Sequence, residues 1–127
     1  MPESDDLIRA GEQALESAGL LADHALWADA ISRAYYAMVY AARALLAEKG
    51  LAPRTHRGVV QLFGREFVRP GIFPKDVARL LAATMAFRDR ADYGLRGDLA
   101  ERDARKAVDA AREFLETARD LLKKMRP

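Results

Sequence analysis

Cysteine is absent from this chain of 127 residues, and it has only two histidines and one tryptophan. Without cysteine the chain can form no disulfide bond and no thiolate metal site, a composition typical of a reducing cytoplasm, where we expect the protein to reside. No stretch reaches the ~18 uncharged apolar residues that span a bilayer, so we expect no membrane association. The net charge of +2 is too small to indicate duplex nucleic acid as a partner.

Missing motifs exclude several enzyme classes. The sequence has no glycine-rich phosphate loop with a Walker-type lysine, no serine in a nucleophile elbow and no Glu-x-x-His pair of the di-iron bundles. His24 and His56 lie in different segments without other ligands nearby, so we predict no metal site and no cofactor. We interpret His56, in "RTHRGV", as a surface or capping histidine at a helix start.

The residues that are abundant favour helices. The chain contains 25 alanines and 16 leucines, against 12 valines, isoleucines and threonines together. Alanine and leucine are strong helix formers, whereas β-branched residues favour strands. No proline interrupts a periodic segment, and the connections between segments are short. We therefore predict an all-α fold, an up-and-down bundle of four long helices plus a short one, in a single domain over residues 1–127.

Capping and terminating residues predict where the helices begin and end. Serine, threonine and aspartate favour the position before a helix, and glycine favours the position after it. The predicted signals are Ser4 and Gly19 for the first helix, Asp23 and Gly50 for the second, Thr55 for the short third, Pro74 for the fourth, and Asp98 with Glu101 for a last helix that ends near Met125.

The second helix, which carries "SRAYYAMVYAARALL", has two distinct sides. One side is apolar and is predicted to be core: Ile31, Tyr35, Met38, Ala42 and Leu45. The nearly opposite side consists of Asp29, Arg33, Tyr36, Tyr40 and Arg43. Tyrosine and arginine are enriched at interfaces. This side is therefore a dimer seam or the wall of a ligand site, although a solvated face on which the tyrosines lie flat would have the same pattern.

The segment "RDRADYG" ends the otherwise apolar fourth helix. Arg88 lies at the edge of the apolar stripe, and Asp92, one helical turn later, is its nearest predicted partner. Two interpretations remain open. Arg88 and Asp92 form a pair that ends the helix and holds Tyr93 against the second helix, or the guanidinium is held ready for a phosphate or nucleotide.

Three segments together resemble the HEPN superfamily. They are "SRAYYAMVYAARALLAEKG", "THRGVVQLFGREFV" and "FRDRADYG", followed by a long amphipathic last helix. The similarity extends over about residues 4–122 and is greatest to the compact stand-alone proteins often encoded beside a minimal nucleotidyltransferase of the MNT type. The resemblance implies a helical bundle that forms a homodimer. Many members are metal-independent endoribonucleases, and many act as toxins.

The family signature is an arginine followed after four to six residues by a histidine, and this chain departs from it. Arg88 matches the arginine, whereas Asp92 and Tyr93 occupy the region of the histidine. By resemblance, the predicted catalytic residues are Arg88, Asp92 and Tyr93. The predicted nucleotide-binding residues are Arg33, Tyr36 and Tyr40, from the tyrosine- and arginine-rich side of the second helix. In related pairs the nucleotidyltransferase adds AMP to a tyrosine just beyond the signature, which makes Tyr93 a predicted acceptor.

These features favour one function over two alternatives. We expect a nucleotide- or RNA-phosphate-binding member of a toxin–antitoxin-like module with an MNT-type nucleotidyltransferase. The first alternative is a metal-independent endoribonuclease toxin that cleaves single-stranded RNA. The second is a non-catalytic helical dimerisation scaffold.

Overall fold

A computed structural model describes residues 2–92 and 99–126, apart from the side chains of Pro2 and Ala91. Within these ranges the regular elements are all helices: α1 Pro2–Asp23, α2 Trp27–Glu48, α3 His56–Phe63, a π-helical turn Gly64–Val68, α4 Lys75–Asp92 and α5 Glu101–Met125. The all-α prediction is confirmed, whereas the up-and-down order of the helices stays a prediction. None of these helices, over the described residues, is long and apolar enough to cross a membrane.

Helix α2 is the centre of the core. It packs against α1, α5, α4 and α3, and 13 of its 22 residues are buried. The side predicted to be core is completely buried, at Ile31, Tyr35, Met38, Ala42 and Leu45. Small residues allow the neighbouring helices to approach closely. A Cβ atom added at Gly11 of α1 would lie 3.2 Å from the Ala37 carbonyl oxygen and 3.2 Å from Leu115 Cδ1.

The predicted helix ends are correct in part. Thr55 caps α3, since its hydroxyl accepts a hydrogen bond from the Gly58 N–H at 2.9 Å. Gly50, with a φ of 75°, follows α2 as predicted. The end of α1 at Gly19 and the cap at Asp23 were wrong, because α1 continues to Asp23. Packing explains the difference: the buried Ala18 and Ala22 stand one helical turn apart, and their burial outweighs the low helix propensity of glycine.

The start of α5 also differs from the prediction. Asp98 lies outside the described residues, and α5 begins at Glu101. The carboxylate of Asp103, rather than that of Glu101, accepts a hydrogen bond from the backbone N–H of Ala100 at 2.9 Å. This bond satisfies one of the backbone donors at the helix start.

The segment after α3 is a π-helical turn, closed by a hydrogen bond from the Arg69 N–H to the Gly64 carbonyl oxygen at 2.9 Å. Val59, Phe63 and Phe67 are buried at intervals of four residues along this segment. An α-helix has 3.6 residues per turn, so a strict four-residue interval drifts away from the core unless one turn is wider. The π-helical turn keeps Phe67 in the core, where its ring lies 5.7 Å from that of Phe63.

Polar contacts tie the start of α1 to the ends of α2 and α5. The completely buried Ser4 donates a hydrogen bond to Glu48 Oε2 at 2.5 Å. Arg126 forms ion pairs with Asp5 at 2.8 Å and with Glu48 at 3.5 Å. The Ser4 hydrogen bond is the largest cause that lowers the pKa of Glu48. The Glu48 carboxylate therefore stays ionised where these three helices meet.

Candidate functional site

Arg88, near the end of α4, lies against two aromatic rings of α2. Its Cζ atom is 5.3 Å from the ring centre of Tyr35 and 5.6 Å from that of Tyr36. Its Nη2 donates a long hydrogen bond of 3.5 Å to the Tyr36 hydroxyl. The electron-rich ring faces attract the guanidinium and hold it in place without neutralising its charge. One quarter of the Arg88 side chain, 25%, remains exposed.

The predicted pair of Arg88 and Asp92 is present. Arg88 Nε lies 3.1 Å from Asp92 Oδ2, so the two charges are close. The Nε–H is nevertheless not directed at that oxygen, and it has no hydrogen-bond acceptor among the residues described. The contact is therefore an electrostatic pairing and not a bidentate fork, which leaves most of the guanidinium donors for another acceptor.

His56, the first residue of α3, lies beside the same two rings. Its ring centre is 5.3 Å from that of Tyr36 and 5.7 Å from that of Tyr35, and both contacts are edge-on. Burial lowers the pKa of His56, and the positive charges of Arg88 and Arg43 lower it further. His56 is therefore neutral at neutral pH and can accept a proton. We use the name Arg88 cluster for Arg88, Tyr35, Tyr36, His56 and Asp92.

The prediction that His56 stands at a helix start is confirmed, whereas a capping role for it is wrong. The capping residue is Thr55, and the His56 ring is half-buried against α2. Sequence reasoning missed this residue because it sought a histidine shortly after Arg88 along the chain. The sequence contained one signal for this placement. His56 directly follows Thr55, the cap of α3, and therefore lies in the first turn of that helix. Among the described residues no group of histidine and acidic side chains could hold a metal ion.

The remaining predicted site residues lie along the outer side of α2. Arg33 lies next to the Arg88 cluster, since its Cζ atom is 5.4 Å from the ring centre of Tyr36. Tyr40 lies one helical turn beyond Tyr36 and is half-buried. Tyr93 lies outside the described residues. The structure thus brings Arg88, Asp92, Tyr36 and Arg33 together.

Tyr35 contributes a buried polar atom to the cluster. Its side chain is completely buried, and its hydroxyl has no hydrogen-bond partner within the described ranges. Burial raises the pKa of Tyr35, and the nearby Arg88 charge opposes this effect. The hydroxyl therefore remains protonated and does not compete with Asp92 for the guanidinium charge.

Comparisons with known proteins agree on one family. The model of the HEPN domain matches residues 4–121. The UPF0332 protein glr0978 of Gloeobacter violaceus is 35% identical over 122 residues, which cover 95% of this chain and 97% of the relative. Two proteins of Methanocaldococcus jannaschii carry names that describe toxins. Putative toxin MJ0605 is 33% identical, covering 97% of this chain and 91% of its own length. Putative toxin MJ0142 is 28% identical, covering 94% and 82%. The chain therefore belongs to the HEPN domain family.

Proposed function

We propose that this chain is the toxin-like component of a two-component module and that the Arg88 cluster binds a phosphate of single-stranded RNA or of a nucleotide. The observation that carries the proposal is the placement of Arg88 over two tyrosine rings, with the carboxylate of Asp92 nearby but poorly aligned. The relatives named as toxins support the toxin-like role. The partner we propose is an MNT-type nucleotidyltransferase.

The electrostatics of the cluster favour an anionic ligand. Arg88 and Arg43 both lower the pKa of His56, so two positive charges act at the same place. The guanidinium of Arg88 retains donors that Asp92 does not use. A phosphate offers several acceptor oxygens to such donors, and charge-assisted hydrogen bonds of this kind are about twice as strong as neutral ones.

Arg33, Tyr36 and Tyr40 extend the proposed site along α2. Arg33 already stacks on the Tyr36 ring, at 5.4 Å from its Cζ atom. Aromatic rings and guanidinium planes are the surfaces on which unpaired bases stack. In this proposal Arg88 holds the phosphate, and the three α2 residues contact a base or sugar. The protein acts as a single domain and as a homodimer.

A second candidate function, metal-independent endoribonuclease, is favoured by His56. The neutral imidazole lies beside the rings that position Arg88, and it could serve as the missing histidine of the signature although it comes from another helix. In this reaction His56 takes the proton of the RNA 2′-hydroxyl. The 2′-oxygen attacks the phosphorus, the bond to the 5′-oxygen breaks and that oxygen takes a proton from water, which leaves a 2′,3′-cyclic phosphate. Arg88 stabilises the charge on the phosphoryl oxygens.

Binding and cleavage of labelled single-stranded RNA in EDTA separate the two candidates. We expect Arg88→Ala to weaken binding at least tenfold, whereas Arg90→Ala, an exposed arginine of the same helix, leaves it unchanged. Cleavage that disappears in both Arg88→Ala and His56→Gln supports the endoribonuclease. Binding without cleavage supports the phosphate-binding module. A protein that neither binds nor cleaves RNA, and binds no nucleotide, contradicts both.

The nucleotidyltransferase partnership has its own test. By the family resemblance, Tyr93 is the proposed acceptor of AMP. Co-expression with an MNT-type nucleotidyltransferase should add the mass of AMP to the wild type and not to Tyr93→Phe. Tyr40→Phe is the matched control, because it removes the hydroxyl of a half-buried tyrosine of the same proposed site. An unmodified wild type recovered with an active nucleotidyltransferase would contradict this part of the proposal.

A further inference from the structure

A groove separates α4 from α3 and the π-helical turn. Helices α3 and α4 each pack on α2, but α4 makes few contacts with α3 or with the turn. The gap between them is open and has a volume of about 290 Å³. We name this gap the α3–α4 groove. Its apolar lining consists of Val60, Gly64, Val68, Ala78, Leu81 and Ala82. Covering this lining would remove apolar surface from water, which is favourable.

No contact within the described chain requires a glycine at position 64. The φ of −59° and the ψ of −46° of Gly64 are those of a right-handed helix, which any residue adopts. A Cβ atom added there would meet no side chain and no neighbouring helix within 4 Å. Glycine in a helical backbone costs about 0.5–1 kcal/mol relative to alanine. What the missing side chain provides is room for the backbone of another chain to approach the groove closely.

Two positive charges stand at one edge of the α3–α4 groove. Lys75 and Arg79 both line it, both are exposed, and they lie one helical turn apart on α4. Neither forms an ion pair with another described residue. The carboxylate of Asp76 does not line the groove, and no other described carboxylate does. The positive edge would therefore attract an occupant that carries negative charge.

The shape and lining of the groove favour a helix as the occupant. Small ligands bind in enclosed pockets of about 300–1,000 Å³, whereas this groove is open and smaller. Its apolar lining offers few hydrogen-bond donors to nucleic-acid phosphates. A membrane-binding surface needs protruding apolar side chains, and the large exposed ones of the described residues, Leu20, Leu26 and Ile72, lie outside the groove. A groove between two helices instead accepts the apolar side of a third helix.

We propose that the α3–α4 groove binds an acidic amphipathic helix of a partner protein. The apolar side of that helix lies over Gly64 and Ala78, and two of its carboxylates, one turn apart, pair with Lys75 and Arg79. The groove extends along α4 from Lys75 to Ala82, which is about 10 Å, so about two turns of the partner helix fit. The inference goes beyond the proposed function, because no residue of the groove belongs to the Arg88 cluster.

Two synthetic peptides test the charge of the occupant. Each has about 18 residues, is rich in alanine so that it forms a helix, and carries leucines on one side. The acidic peptide has two glutamates one turn apart beside the leucines, and the basic peptide has lysines there. By fluorescence anisotropy, the wild type should bind the acidic peptide at least about tenfold more tightly than the basic one. The double variant Lys75→Glu/Arg79→Glu should reverse this preference.

A second pair of variants tests the location. Ala82→Phe places a ring in the groove from an exposed position, and it should weaken binding of the acidic peptide at least about tenfold. Ala83→Phe is the matched control, because Ala83 is an exposed alanine of the same helix that does not line the groove. Its affinity should stay within about threefold of the wild type. Far-UV circular dichroism establishes that each variant is folded.

Several results would overturn the proposal. Equal affinity for the two peptides would contradict an acidic partner, and unchanged affinity in Ala82→Phe would contradict the location. A wild type that binds neither peptide would refute the proposal, and binding of phosphatidylglycerol vesicles that is lost in Ala82→Phe would then assign the groove to a membrane. RNA binding by Ala82→Phe should equal that of the wild type, and its loss would place the groove in the phosphate site instead.

Discussion

The buried hydroxyl of Tyr35 allows a quantitative test of the Arg88 cluster. The side chain is completely buried, and its hydroxyl has no hydrogen-bond partner in the described ranges. A buried hydroxyl without a partner costs about 1–3 kcal/mol. Tyr35→Phe removes this cost and keeps the ring that contacts Arg88 at 5.3 Å and His56 at 5.7 Å. We therefore expect the free energy of unfolding to rise by about 1 kcal/mol, which corresponds to about 4 °C in melting temperature.

Thermal and urea unfolding followed by circular dichroism measure this change. Tyr36→Phe is the control, because Tyr36 is half-buried and its hydroxyl accepts only a 3.5 Å hydrogen bond from Arg88. Its free energy of unfolding should stay within about 0.5 kcal/mol of the wild type. If Tyr35→Phe is less stable than the wild type by about 1 kcal/mol or more, the hydroxyl has a partner that stabilises it, and the reasoning is refuted.

Three further predictions concern stability. The pKa of His56 in the folded state is below its ordinary value of 6.5, so the free energy of unfolding should rise with pH up to about pH 6.5 and then level off. Urea unfolding between pH 5 and 8 measures this rise, and the variant His56→Gln should lack it. The pKa of Glu48 is lowered in the folded state, so its carboxylate stabilises the fold above about pH 4.5 and this stability is lost as the pH falls through the folded-state pKa. The variant Ser4→Ala should therefore have a lower free energy of unfolding at pH 7, and that free energy should fall less on acidification to pH 3. The variant Gly19→Ala should stabilise α1 by about 0.5–1 kcal/mol and raise the melting temperature, because the added Cβ would meet no other atom. The variant Gly11→Ala should not, because its Cβ would lie 3.2 Å from a backbone oxygen.

Local patterns were sufficient to predict the helices and the buried side of α2. The apolar residues of α2 recur with the helical period, and Thr55 and Gly50 have the chemistry that their end positions require. The pairing of Arg88 with Asp92 was also predictable, because residues one turn apart on a helix are neighbours. In each case the interaction lies within one element.

Features that depend on packing between elements were not predictable. His56 joins the Arg88 cluster because α3 and α4 both pack on α2, and no local pattern specifies that meeting. The continuation of α1 through Gly19 likewise depends on the burial of Ala18 and Ala22 against other helices. Tertiary packing outweighs local propensity at such places, since the differences in propensity are below about 1 kcal/mol per residue.

The π-helical turn has a consequence for how this chain tolerates changes in length. A π-helical turn is closed by a bond that spans one residue more than an α-helical bond, as the contact between Arg69 and Gly64 does. Removal of Gly64 would allow the segment to continue as α-helix. The rotation of the later side chains about the helix axis would then be compensated between Phe63 and Phe67, where the wider turn is lost. A one-residue deletion within α2 would instead rotate every later side chain by about 100° and move its core residues out of the core. In natural or engineered variants of this chain, one-residue insertions or deletions should therefore occur at this turn, while α2 keeps its length.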